Sequence, residues 1–201
     1  LAVTPQNFGE AVKSLGQVKP EKIISVIAGL KKNTIKNAFG TAAVKVARCM
    51  PNLPCSIGSG IIGIDMADFN KNQDDLEFIN GVFNCLGTVL SVDESKMDAV
   101  AGVSGSGPAY TFIFIDSLVD AGVKHGLTRA EAKLLAAQTV LGAAEMVLRD
   151  EQTVSELIMQ VCSKGGATIE AVKVFEEKGF RAIVSDAVEA CVGRSKELSE
   201  R

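Results

Sequence analysis

The sequence predicts an α/β region up to about residue 92, followed by an all-helical region. Three observations carry this. Apolar, partly β-branched runs at residues 22–27, 43–50, 60–66 and 88–92 alternate with helix-like stretches, and alternation on this scale argues for βαβ units and a largely parallel sheet. Beyond residue 93 no strand-like run recurs, and helix caps and glycine stops take over. Of the 201 residues, 47% are hydrophobic and 22% charged, enough for one large core or two small ones without disulfide staples. The same balance excludes disorder for most of the chain.

In chain order, Leu1-Ala2-Val3-Thr4-Pro5 reads as the end of an apolar strand turning into a loop, as if the sequence began inside a domain. Phe8, Val12 and Leu15 share one face of a short helix. Ala28-Gly29 closes the run at 22–27, and Asn33-Thr34 can cap a helix reaching Phe39. Pro51-Asn52-Leu53-Pro54 ends the next run, since two prolines in so short a stretch stop regular structure. Leu76, Ile79, Phe83 and Leu86 give residues 72–86 an apolar face, and Asp74, Asp75 and Glu77 read as its solvated start. Asp93-Glu94-Ser95 opens a helix to Val100. Pro108 suits a first helical position, and the helix it opens is apolar nearly all round from Ala109 to Ile115, so it is expected to be buried on several sides. Gly126 stops it. Thr128 with Glu131 forms a capping box for residues 129–148. Thr153 or Ser155 starts the next helix, Gly165-Gly166 breaks it, and helices at 168–178 and 180–198 follow, split by Gly179.

Composition excludes several functions. Net charge is −3 with no large basic cluster, so no nucleic-acid surface is indicated. The longest uncharged stretch, residues 99–115, is interrupted by Ser104-Gly105-Ser106-Gly107-Pro108, whereas a spanning helix needs ~20 predominantly apolar residues. No basic flank with an apolar run opens the chain. The five cysteines have no CxxC spacing and read as small buried residues of a reducing, cytoplasmic compartment rather than a metal site. With one histidine, any mechanism needing two is excluded.

Three glycine- or proline-rich loops can carry chemistry. Ser104-Gly105-Ser106-Gly107 before the apolar helix offers N–H groups and two hydroxyls to an anion, or is simply a tight helix corner. Ser163-Lys164-Gly165-Gly166-Ala167-Thr168 combines hydroxyls, a cation and a helix start, a set that suits a carboxylate or phosphate; the alternative is a flexible linker with Thr168 as N-cap. The loop at 50–54 follows a strand, where open parallel sheets bind ligands. His125 falls at a helix end beside Gly126, Asp116 and Asp120 are either paired or face water with nothing linking them to a second carboxylate, and the cysteines lack basic neighbours. These residues do not by themselves name a reaction.

The stretch Ala101-Gly102-Val103-Ser104-Gly105-Ser106-Gly107-Pro108-Ala109-Tyr110 resembles the signature of the pyrroline-5-carboxylate reductase family. The likeness continues through Asp120-Ala121-Gly122-Val123-Lys124, Ala137-Gln138-Thr139, Gly165-Gly166-Ala167-Thr168-Ile169, Gly179-Phe180-Arg181 and Ala187-Val188-Glu189-Ala190, with Arg48-Cys49-Met50-Pro51-Asn52 upstream. The resemblance covers essentially the whole chain. It implies part of a Rossmann-like, parallel-sheet dinucleotide domain at residues 1–92. Residues 93–201 would then be a helical dimerisation and substrate domain, similar to the C-terminal type of 6-phosphogluconate dehydrogenase.

The implied reaction reduces 1-pyrroline-5-carboxylate to proline with NADP(H) or NAD(H), the last step of proline biosynthesis. By resemblance Ser163, Lys164, Gly165, Gly166, Ala167 and Thr168 hold the substrate carboxylate. Thr168 is the catalytic residue, as proton donor or as an orienting hydroxyl. Ser104 and Ser106 help to wall the pocket. Ala2, Val3, Thr4, Pro5, Ala28, Gly29, Asn52 and Pro54 line the cofactor. A homodimer through the helical domain is implied, and larger rings of dimers, up to a decamer of dimers; no metal is. Three residues depart from the family pattern, which usually has Lys where Thr4 stands, Thr where Leu53 stands and Pro where Lys164 stands. The family's opening Gly-rich segment is not in this sequence, so the chain is expected to be a fragment, inactive alone, of a longer enzyme. Two other readings stand beside this one: a reductase-like paralogue acting on another cyclic imine, and a truncated, non-enzymatic oligomerisation module.

Overall fold

The computed structural model describes residues 1–69 and 72–199. The chain divides into two compact units, Leu1–Pro108 with Ala187–Arg201, and Ala109–Asp186. In the first unit four strands, β1 (Lys22–Ser25), β2 (Lys45–Met50), β3 (Gly60–Asp65) and β4 (Gly87–Ser91), form one sheet in the order β1-β2-β3-β4. Strand β1 pairs parallel with β2, and β3 parallel with β4. Between them β2 and β3 run antiparallel, with Arg48 opposite Asp65 and Met50 opposite Gly63. The sheet is therefore mixed, which corrects the largely parallel expectation. The reason is chain length: only residues 51–59 join β2 to β3, and a parallel crossover needs roughly a dozen residues or more.

Leu1 lies along the other side of β1. Its amino group donates to the Ile24 carbonyl at 2.6 Å, and its carbonyl accepts from the Val26 amide at 3.0 Å. That offset is the bonding pattern of a parallel neighbour.

Strand residues alternate between two cores. Ala47 and Cys49 face one, with Ile62, Ile64, Phe69 and the inward side of α3 (Gln73–Asn84), Ile79 and Phe83. Ile23 and Val46 face the other, with Phe8 of α1 (Phe8–Ser14) and Ile35 of α2 (Lys32–Ala38). Helix α2 starts one residue before the expected Asn33-Thr34 cap, and no side chain of its own segment caps it. Asn72 caps α3 by accepting from the Asp75 amide. Asp75 is not solvated as expected: it is buried and accepts from Lys22 Nζ at 2.6 Å.

Residues 94–124 hold the second correction. A 3-10 turn (Glu94–Lys96) leads into α4 (Met97–Val100), a π-helical turn (Ala101–Gly105) and α5 (Gly107–Lys124). The passage is nearly continuous helix where the glycines suggested a loop, and Pro108 stands second in α5. The Ser106 amide donates back to Ala101 at 2.9 Å, so it is spent inside the chain. The glycines serve close packing. A Cβ on Gly63 would lie 2.6 Å from Val100 Cγ1, one on Gly105 2.6 Å from Met50 Cε, and one on Gly102 2.7 Å from Val192 Cγ2. Helical residues thus sit directly on the sheet face that carries Met50 and Gly63, and under the end of α9 (Phe180–Ser199).

The second unit is helical: most of α5, then α6 (Arg129–Arg149), α7 (Val154–Val161), α8 (Ala167–Glu177) and the start of α9. Capping boxes at Thr128/Glu131 and Thr153/Glu156 begin α6 and α7, which settles the earlier choice between Thr153 and Ser155. Gly126 and Gly179, both at positive φ, end α5 and α8. A small core of Val119, Ala132 and Ala136 joins α5 to α6. Phe114 and Phe175 pack tilted against Phe180, with ring centroids 6.1 and 5.0 Å away. Most of the large apolar side chains stay exposed, among them Ile113 at 68% and Leu134 at 70%. The helix expected to be buried on several sides therefore shows its apolar faces within a single chain. Among the described residues no strand follows residue 92, and no helix is long and apolar enough to cross a membrane.

Candidate active site

Three parallel segments, at Leu1, β1 and β2, leave the sheet at one rim. The residues that follow them are those the sequence singles out for a cofactor. Ala2 and Thr4 are exposed, Val3 is half-buried against the α2-side core, and Pro5 opens a 3-10 turn. Ala28 is exposed. Gly29 is buried at φ 76°, and the place of its missing Cβ is taken by Leu198, 3.2 Å away. Asn52 points its side-chain oxygen inward to accept from the Ile61 amide at 3.1 Å. Its NH2 group is then the side chain's available donor. Pro54 lies in the 3-10 turn Leu53–Ile57, and Leu53 beside it is 64% exposed. Small side chains and an amide donor at strand carboxyl ends fit the flat, hydrogen-bonding end of a nicotinamide nucleotide.

Behind this rim is a charged network that the sequence reading missed. Lys32 and Arg48 are 8% and 6% exposed. Lys32 Nζ pairs with Asp65 and lies 3.5 Å from Asp68. Arg48 donates to Glu94 Oε1 at 3.3 Å, and the Lys32 amide donates to the same oxygen at 2.7 Å. The Glu94 amide donates to Asp65 Oδ2 at 2.7 Å. Asp68 accepts from Lys36 at 2.7 Å and from the Val46 amide at 3.0 Å. Burial works against the Lys32 ammonium, but its bonds to Asp65 and the nearby carboxylates outweigh this and raise its pKa. Burial likewise pushes the Asp68 carboxyl up, and Lys36 and the Val46 amide more than offset it, so its pKa is lowered. A signal was present: Arg48 and Asp65 are charges inside otherwise apolar strand runs, and buried charges need partners.

The substrate-side candidate is a tight turn in the second unit. The Gly166 amide donates to the Ser163 carbonyl at 3.0 Å, with Gly165 at φ 74° in the third position, the mark of a type II turn. Lys164 stands exposed at its second position. Gly166, not Thr168, is the N-cap of α8 and has no side-chain bond. Thr168, half-buried, is the second residue of the helix, after Ala167. Ser163 Oγ occupies the space a Cβ on Gly166 would need, so only glycine lets this hydroxyl fold over the helix start. Ser104 and Ser106 lie in the first unit with their hydroxyls engaged, on the Val100 carbonyl at 2.9 Å and against Cys191 Sγ at 3.0 Å.

The remaining candidates have structural partners. Arg129 pairs with Asp120 at 2.6 Å and Asp116 at 3.8 Å, all exposed. His125 is exposed just past α5. All five cysteines are free thiols, and burial pushes the Cys49 pKa up to about 12, far from a nucleophile's range. Among the described residues no cluster could hold a metal ion.

A dinucleotide-type sheet rim, a glycine turn at a helix start and a helical unit with uncovered apolar faces are the parts expected of an oligomeric, nicotinamide-dependent oxidoreductase. Residues 94–198 match the family described as "Pyrroline-5-carboxylate reductase dimerisation". A pyrroline-5-carboxylate reductase from Synechocystis is 41% identical over all of this chain and 74% of its own length. One from Escherichia coli is 38% identical over 96% of this chain and 72% of its own. The crystal structure of pyrroline carboxylate reductase from Plasmodium falciparum with NADP bound superposes with a TM-score of 0.89 at 35% identity, covering 98% of this chain and 79% of that one. The Coxiella burnetii enzyme gives the same score at 36% identity, covering 99% and 74%. The chain belongs to the pyrroline-5-carboxylate reductase family, the NAD(P)H-dependent enzymes that reduce this cyclic imine to proline.

Proposed function

We propose that residues 163–168 bind the carboxylate of 1-pyrroline-5-carboxylate while the rim at Ala2–Pro5, Ala28-Gly29, Asn52 and Pro54 holds NADP(H) or NAD(H). The observation that carries this reading is the uncapped start of α8 under the Ser163 hydroxyl. Helix N–H groups without side-chain partners, two hydroxyls and a lysine make a carboxylate site. Bound nicotinamide supplies the hydride that adds to the imine carbon. The C=N π pair then takes a proton at nitrogen, and the bond becomes CH–NH. Thr168 orients that nitrogen and relays the proton from water, since a hydroxyl alone is a weak acid. Lys164 adds a positive charge beside the carboxylate. Asn52 holds the cofactor through its amide donors.

The 94–198 module pairs two copies, and larger rings of dimers, up to a decamer of dimers, belong to the same reading. Its likeness to the C-terminal part of 6-phosphogluconate dehydrogenase and a cytoplasmic setting, suggested by the free thiols, belong to the same proposal. The exposed Leu53 and Lys164 favour a second reading, a paralogue acting on another cyclic imine.

The test is nicotinamide oxidation by the whole gene product with 1-pyrroline-5-carboxylate, beside Thr168→Ala and Thr168→Ser. We expect Thr168→Ala to lower kcat by about a hundred-fold, the low end for losing a positioned proton-transfer group, and Thr168→Ser to keep most of it. Equal rates in the parent and Thr168→Ala would remove Thr168 from the mechanism. No turnover in the parent would favour the paralogue.

A further inference from the structure

One carboxylate joins residues that flank the two loops that the proposed function gives to the cofactor. Residues 28–31 run directly into Lys32, the first residue of α2. Residues 51–54 follow Arg48 and Met50 at the end of β2. Glu94 Oε1 accepts from the Lys32 amide at 2.7 Å and from Arg48 NH1 at 3.3 Å. No side chain near α2 in sequence caps that helix, so Glu94 serves as its cap from 62 positions away. The Glu94 amide is itself held by Asp65 Oδ2 at 2.7 Å, and Asp65 also takes the Lys32 ammonium. Residues flanking both cofactor loops are thereby tied to one point at the start of the helical passage. Met50 adds a second tie, its methyl filling the space left at Gly105.

We propose that Glu94 is a positioning residue for the nicotinamide nucleotide, touching neither cofactor nor substrate and holding the 28–31 and 51–54 loops in their binding arrangement. This rests on the cofactor assignment above. Without the carboxylate, α2 loses its cap, and Arg48, nearly buried, loses its counter-charge. A buried charge without its partner moves or draws in water. The loops then spend part of their time in other arrangements, and apparent affinity falls by the fraction of time they are correct.

The experiment compares the whole gene product with Glu94→Ala and Glu94→Gln. The readouts are NADPH and NADH binding by nucleotide fluorescence without substrate, the KM for 1-pyrroline-5-carboxylate at saturating nucleotide, and amide exchange in the nucleotide-free protein. If the binding arrangement falls to about a tenth of the population, Glu94→Ala weakens nucleotide binding about ten-fold. Glu94→Gln keeps an acceptor for the Lys32 amide and falls between it and the parent. The imine KM stays within about two-fold, because a clamp on the cofactor loops alters cofactor binding and leaves uniform substrate binding intact. Exchange quickens at 28–32 and 50–54 and stays slow in α3. Unchanged nucleotide affinity in Glu94→Ala, or a parallel rise in both constants, overturns the proposal. So does exchange that quickens everywhere, which marks global destabilisation. A parent that binds neither nucleotide overturns the cofactor assignment, and exchange in the two loops still decides whether Glu94 clamps them.

Discussion

The two units bury their apolar residues differently. In the first, Phe69, Ile62, Ile64, Val46 and Ile35 are almost wholly enclosed on both faces of the sheet. In the second, the fully enclosed apolar set around α5 and α6 is Val119, Ala132 and Ala136, while Ile113, Leu134, Leu148, Met159 and Val161 are more than half exposed. The second unit is no less apolar, and a stable monomer seldom shows so much of it. The difference teaches that one unit is finished by its own chain while the other leaves apolar faces open to a partner, in keeping with the dimerisation family that residues 94–198 match.

The sharpest way to break this comparison is Phe112→Glu with Ile113→Glu on α5, both more than half exposed within one chain. Two buried hot-spot losses of at least ~2 kcal/mol each would raise the dimer dissociation constant by about a thousand-fold. We expect light scattering on the eluting protein to show the monomer mass at micromolar concentration. An unchanged dimer would mean that these apolar side chains cover something other than a second copy.

The next largest effect separates the units by concentration. Phe69→Ala removes a ring that is 1% exposed and should cost about 3–5 kcal/mol whatever the protein concentration. Phe112→Ala, at a position 54% exposed within one chain, should lower the thermal midpoint by an amount that depends on concentration, because dimer stability is linked to mass action. Calorimetry across a dilution series checks both. A concentration-independent loss at Phe112 would place that ring in the core of its own subunit.

The same contrast explains what the sequence made legible. Local signals worked: β-branched runs located the strands, and Thr128 with Glu131 located α6. Signals that depend on distant residues did not. The alternation predicts a largely parallel sheet, and the antiparallel β2–β3 pair departs from it because its connection at 51–59 is too short for a crossover. Gly105 reads as a loop residue because Met50, which takes the space of its missing side chain, lies far away in sequence. Thr168 was weighed as a cap by residue type, whereas the turn closing on Ser163 gives that place to Gly166. The 163–168 loop suits an anion by its residue types alone and the 50–54 loop stands out by its prolines, whereas the particular substrate and cofactor are implied only by the resemblance. The Lys32–Asp65–Glu94–Arg48 network was foreshadowed only by charges inside apolar strands.

The smallest expected effect asks which unit feels acid first. In the second unit the ion pairs, such as Arg129–Asp120 and Arg149–Glu145, are exposed and contribute little. In the first, Asp68 lies among Lys36, Lys32 and the Val46 amide, and its pKa is lowered from the ordinary 3.8. A carboxyl whose pKa is lowered on folding stabilises the protein above its unfolded value. That contribution fades as pH falls through the folded value, because the unfolded chain takes up the proton first. Asp68→Asn removes the charge and keeps an oxygen for the Val46 amide. The gap in thermal midpoint between parent and variant should therefore be widest near neutral pH and should close as pH falls through the ordinary 3.8 of the unfolded chain and then through the lowered folded value. A gap that stays constant over that range would mean that Asp68 acts by shape and hydrogen bonding, and that the acid sensitivity of the first unit lies elsewhere in its charged network.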